Sequence, residues 1–156
     1  MKSKKLKHVG RLAGVALIAS VAACLPARAQ PAPPVSVSRV SDQAQLTQLL
    51  RGDVYLLGDQ FPGRVFQRAV LERLRARVIR VRVLTGQTGA AYYKPVAQAG
   101  GEVRAFPGKV TGALAIVGDA LIVPDGGGYK IVRGETAAGP VIARFAASWA
   151  YATPIK

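Results

Sequence analysis

The chain has one histidine, one cysteine and one methionine, and all three stand within its first 24 residues, as His8, Cys24 and Met1. Beyond Cys24 the sequence offers no imidazole for nucleophilic or acid–base work, and a single cysteine excludes any intrachain disulfide. Acids are also scarce, 8 against 22 lysines and arginines, and none stand at metal-ligand spacing. Asp119 and Asp125 therefore read as turn residues, and neither a metal nor a cofactor is expected. No spacing matches a P-loop or a dinucleotide fingerprint, and no repeat of about 20 to 50 residues recurs.

What is present is a globular composition. Half of the 156 residues are apolar and 19% are charged, which suits one domain with a sizeable core. The first thirty residues differ from the rest. Lys2, Lys4, Lys5, Lys7 and Arg11 precede an uncharged run from Leu12 to Ala23. That is the layout of an export signal, and the run is shorter than the roughly 20 residues a spanning helix needs. Two processing routes stay open. Ala27-Arg28-Ala29 fits cleavage before Gln30, giving a signal over 1–29, whereas Val21-Ala22-Ala23-Cys24 resembles a lipobox, with a signal over 1–23, lipidation of Cys24 and membrane attachment through it. Either route predicts an exported protein, periplasmic or secreted. Cleavage after residue 29 removes six of the 22 basic residues and none of the 8 acids, so the net charge falls from +14 to +8 and the mature chain stays basic.

Residues 30–43 contain three prolines and no helical period, and read as a tether; the domain proper is expected over 44–156. Ser41 is placed to cap a short helix carrying Leu46, Leu49 and Leu50, which Gly52 ends. Asp53 to Leu57 is an apolar strand. Val65, Phe66, Ala69, Val70 and Leu74 then form one stripe of an amphipathic helix. Val78 to Leu84 alternates around Arg80 and Arg82, which predicts a strand with one buried face and one that is wet or lined by acids. The glycine-rich segment Thr85 to Gly89 stands at that strand's carboxyl end, where open α/β sheets bind ligands. Its spacing is that of a plain loop more than of a phosphate cradle.

Ala90 to Ala99 reads as helical, with Pro95 in a first turn or at a kink, and Glu102 to Phe106 as a third strand. A central hairpin follows: Ala113 to Val117, a turn at Gly118-Asp119, then Leu121 to Val123. Pro124 to Gly128 reads as a flexible loop and Tyr129 to Val132 as a strand. The last helix starts near Thr136, with Pro140 in its first turn and Val141, Ile142, Phe145 and Trp149 on its buried face. The order predicts an α/β (α+β) fold, a mixed β-sheet flanked by helices with a central β-hairpin.

Four segments in this order, VYLLGDQF, LERLRARVIRVRVL, VAQAGGEVRAFPGK and a closing helix ending in SWA, resemble the phospholipase D superfamily across Asp53 to Tyr151. Size and export signal resemble its small secreted single-motif nucleases. The resemblance implies one phospholipase D-like domain, and a homodimer that pools two sites. It also implies a His-x-Lys motif followed, after four intervening residues, by Asp, used to form a covalent phosphohistidine. Here the corresponding positions read Thr111, Ala113 and Gly118, with Asp119 displaced by one place. The motif is degenerate, and no catalytic residue is assigned.

Anion binding is what the resemblance leaves. Lys109 and Thr111 stand beside the former phosphate position, Lys130 is expected to approach from a following strand, and the cationic excess suits nucleic acid or another phosphate-bearing polymer. The plainer reading makes Lys109 a turn lysine and Thr111 a β-former. The arginines at 64, 68, 73, 75, 77, 80 and 82 form the densest basic region, read as a solvated helix face or, alternatively, a polyanion footprint. The leading expectation is a catalytically inactive domain that binds a phosphate-bearing ligand or an envelope protein. A phosphodiesterase of noncanonical mechanism with Thr111 as nucleophile, and a structural or assembly component of the envelope, are the alternatives.

Overall fold

Three parallel strands make up most of one half of the sheet. The computed structural model describes residues 34–155; the expected signal, Cys24 and the start of the tether lie outside them. Strands β2 (Gly52–Gly58), β3 (Ile79–Gly86) and β4 (Glu102–Phe106) run parallel and adjacent, with Val54 opposite Val81 and Val83 opposite Val103. Their connections are helical, as parallel neighbours require: α2 (Arg64–Arg75) joins β2 to β3, and a short 3-10 turn (Ala90–Tyr93) running into α3 (Lys94–Gln98) joins β3 to β4. Pro95 sits in the first turn of α3, where its missing N–H has no intrahelical partner to lose.

After β4 the chain turns back. Strands β5 (Ala113–Val117), β6 (Ala120–Asp125) and β7 (Gly128–Arg133) form an antiparallel meander, with β5 against β2. The expected hairpin is present: Val117 pairs with Ala120, and Gly118 turns the chain at φ +57°, a conformation side-chain-bearing residues rarely adopt. The loop expected over Pro124 to Gly128 is shorter than predicted. Pro124 and Asp125 continue β6, and only Gly126 and Gly127 turn.

Two edge strands were not foreseen. Ser36–Val40, expected to be tether, is β1 and pairs antiparallel with β7. Its serines are tolerated because nearly all of this edge strand stays exposed, and Arg39 binds Asp125 at 2.6 Å. Thr153–Pro154, β8, covers the other edge beside β4. The resulting mixed sheet has the order β1-β7-β6-β5-β2-β3-β4-β8.

Helix α1 (Gln43–Leu49) is capped by Asp42, whose carboxylate accepts from Ala44 N at 3.1 Å, in place of the expected Ser41. The final helix α4 spans Glu135–Tyr151, so Pro140 lies inside the helix, past the first turn where it was expected. The missing N–H there leaves a carbonyl one turn earlier without its helical partner.

The helices divide between the two faces. On one, α1, α2 and α3 cover Val54, Leu56, Val81, Val83, Val103, Ala115, Ile122 and Ile131 in a continuous core with Leu46, Phe66, Val70, Tyr93 and Val96. The Tyr129 hydroxyl accepts from Phe66 N at 3.1 Å and so caps α2, whose own N-cap, Gly63, has no side chain. On the other face α4 lies alone among the described residues, with Phe145 against Leu84, Tyr55, Leu57 and Phe106. Arg80 and Arg82 line the wetter face as expected, paired with Asp53 at 2.8 Å and Glu102 at 3.5 Å. Among the described residues no helix is long and apolar enough to cross a membrane.

Candidate functional site

Because β2, β3 and β4 are parallel, their carboxyl ends open at one edge of the sheet, and the loop from Pro107 to Gly112 crosses that edge before entering β5. The crossing is tight. Asp59 N donates to the Gly112 carbonyl at 3.2 Å, and a Cβ on Gly58 would collide with that same carbonyl. Gly58, at φ +146°, is therefore required where the 109–112 segment lies against the end of β2.

Between this segment and α4 is a cleft of about 450 Å³. Leu57, Leu84, Phe106 and Phe145 make its apolar floor; Lys109, Thr111, Arg144 and Ser148 contribute polar groups. Among the described residues no carboxylate lines it. Lys109, Thr111 and Arg144 are exposed and Ser148 is half-buried. The four ion pairs among the described residues use Arg39, Arg80, Arg82 and Arg133, so neither cation of the cleft is neutralised by an acid.

Two of the three expected anion-binding residues, Lys109 and Thr111, thus share one cleft. Lys130 does not join them. It lies on β7, in register between Arg39 and Val123, with β6 and β5 intervening before β2. At about 4.8 Å per strand that places it about 10 Å beyond β5. The basic partner brought by the fold is Arg144, which sequence reasoning missed. Its signal was weak: it is the only basic residue of α4, one turn before Ser148 and adjacent to the buried Phe145.

The degenerate motif positions spread along this geometry. Thr111 lines the cleft, Ala113 begins β5, and Gly118 and Asp119 lie past the strand's far end, where Asp119 meets Arg133 at 3.5 Å. The lining offers Thr111 neither a carboxylate nor an imidazole as a base. Asp125 is held by Arg39. The Thr85–Gly89 segment contributes no wall to the cleft; it folds onto the loop after β2, with Gly89 so close to the Thr85 hydroxyl and Asp59 that no Cβ fits. The Thr85 hydroxyl is fully buried there without a hydrogen-bond partner among the described residues.

Trp149 is already packed, stacked on Phe145 at 5.4 Å between centroids and covered by Arg104 at 4.6 Å, so the pair forms a wall rather than an open base-stacking platform. A second groove of about 500 Å³, on the other face, is lined by Tyr93, Lys94 and Gln98 among small apolar residues. Burial, and then the Asp59 carboxylate, raise the Tyr93 hydroxyl well above the ordinary tyrosine range. It stays protonated and donates to the Gln60 carbonyl at 2.7 Å, a structural use.

The fold is that of a solved phospholipase D family member. The structure is similar to Nuc from Salmonella typhimurium, a phospholipase D family member, at 11% identity and a TM-score of 0.57, covering 79% of this chain and 98% of that one. It is likewise similar to NucT from Helicobacter pylori at 11% identity and a TM-score of 0.56, covering 78% of this chain and 99% of that one. No family model and no curated protein matches the sequence. At 11% identity the likeness is one of fold, and function has to be argued from the cleft.

Proposed function

We propose that this chain is an exported phospholipase D-like domain that holds a phosphate-bearing ligand in the cleft and does not cleave it through a phosphohistidine. The observation that carries this reading is the pairing of Lys109 with Arg144 above an apolar floor, free of acids, in a chain whose only histidine is His8. The Arg144 guanidinium presents a planar fork suited to two phosphate oxygens, and the Lys109 ammonium acts as a mobile point charge. The hydroxyls of Thr111 and Ser148 can donate to remaining oxygens. Leu57, Leu84, Phe106 and Phe145 exclude water from below, which strengthens each of these attractions.

Trp149 is the only tryptophan and stacks on a residue of the cleft floor, so its fluorescence reports occupancy. Titration with bis-p-nitrophenyl phosphate should give a saturable change that Lys109→Ala and Arg144→Ala each weaken, with no p-nitrophenolate released. An unchanged titration in the double variant would end the cleft reading. Release of p-nitrophenolate that Thr111→Ala abolishes would instead establish the hydrolase alternative. Mass spectrometry of the chain recovered from the cell envelope distinguishes cleavage after residue 29 from lipidation at Cys24.

A further inference from the structure

The outer face of α2 carries Arg64, Arg68 and Arg75, all exposed, along one side of a shallow groove with Gln67, Leu71 and Glu72. The fold accounts for Arg73, Arg80 and Arg82 but not for this set. Arg73 donates twice to the Leu50 carbonyl, at 3.2 and 3.1 Å, tying α2 to the end of α1. Arg80 and Arg82 have acidic partners. Arg64, Arg68 and Arg75 have none among the described residues, although Glu72 stands one turn from both Arg68 and Arg75.

Two of the three positions oppose helix stability. Arg64 is the first residue of α2, whose first turn holds no acid, and a cation there faces the positive end of the helix dipole. Arg64 and Arg68 are four residues apart, a spacing at which like charges repel. Arg75 alone is placed where the dipole favours it, in the last turn. A solvated face selected only for solubility has no reason to carry cations where they weaken the helix.

We infer that this face of α2 is a second contact surface, on the opposite side of the sheet from the cleft, that lies along the phosphodiester backbone of a nucleic acid. Residues 64 and 75 are separated by about 16 Å along the helix axis, a length over which duplex DNA presents about five phosphates on each strand. Three guanidiniums can thus each meet a phosphate without the polymer bending. The alternative anionic surface, a lipid bilayer, fits less well. Surface-lying helices insert large apolar or aromatic side chains, and here the exposed apolar residue of α2 is Val65. The inference does not depend on the cleft being occupied.

Its test uses the intact chain and a labelled 20-base-pair duplex in fluorescence anisotropy across a salt series. Changing Arg64, Arg68 and Arg75 together to Gln should weaken binding at least tenfold at about 50 mM salt and reduce the log–log salt slope by about two to three. The three changes to Lys should keep most of the affinity. Arg64→Gln alone should raise the melting temperature, which also shows that the variant folds. Lys109→Ala with Arg144→Ala should leave the change in slope caused by the Gln substitutions intact. Absence of duplex binding by the unaltered chain, or unchanged binding by the Gln variant, overturns the inference. So does a loss confined to phosphatidylglycerol vesicles. If only the cleft variant loses the duplex, the cleft reading stands and this one falls.

Discussion

The two faces of the sheet are built to different standards. Among the described residues, twenty buried side chains form one continuous cluster under α1, α2 and α3, whereas under α4 only Leu84, Phe145 and Ala152 form a buried cluster, and its edge opens into the cleft. The contrast follows from coverage. Three helical segments roof the first face, while a single helix crosses the second and leaves room at the carboxyl ends of β2, β3 and β4. Tight packing on one side holds the register of the strands, and that register sets where Lys109 and Thr111 sit on the other.

The sharpest way to break this contrast is to remove the same atoms from each face. Leu56→Ala, fully buried in the large cluster beneath the three helical segments, should cost about 4–5 kcal/mol in urea unfolding, because surrounding helices hold the cavity open. Leu84→Ala, 1% exposed but on the floor of the cleft, should cost about 2–3 kcal/mol, since Phe106 and Phe145 can settle into the space. Equal losses would mean that α4 packs as firmly as the opposite layer.

A smaller effect is expected at Tyr93, on the tightly packed face. Its folded pKa is raised, so the native state retains the proton where the unfolded chain, titrating near about 10, loses it. The stabilisation is present below that pH and is lost as pH rises above it. Tyr93→Phe should cost about 1 kcal/mol at neutral pH by leaving the Gln60 carbonyl unpaired, and should flatten the alkaline fall in stability seen in unfolding at pH 9 to 11. A persistent alkaline fall would assign it to another group.

The smallest effects on folding belong to the exposed charges. Lys109→Ala with Arg144→Ala should change unfolding free energy by no more than about 0.5 kcal/mol while removing the rise in melting temperature given by a phosphate ligand. Asp53→Asn, which removes the acid from the exposed Arg80 pair, should cost no more than about 1 kcal/mol, with the loss shrinking at high salt. A large destabilisation from either would mean that the wet face stabilises the fold as the dry face does.

Much of this architecture was legible in the chain. The stripe through Phe66, Val70 and Leu74, the alternation around Arg80 and Arg82, and the Gly118 turn each carry local periodicity or turn chemistry that one structure satisfies best. The two edge strands were illegible for the converse reason. Ser36–Val40 alternates valine and serine only briefly behind three prolines, buries neither face, and is a strand through its pairing with β7. Likewise, Pro140 marks a helix start by local rules and lies inside one because the helix begins at Glu135, after Gly134 turns the chain at φ +141°.

By itself the sequence determined the order of strands and helices from α1 to α4 and the confinement of histidine to position 8, because both depend only on which residues follow which. Which distant residues meet was decided by tertiary structure. Insertion of β5 and β6 between β2 and β7 carried Lys130 away from the cleft, and the return of α4 across the sheet brought Arg144 to it. Strand order and helix docking are fixed by long-range pairing and packing across the whole sheet, and no local spacing records them.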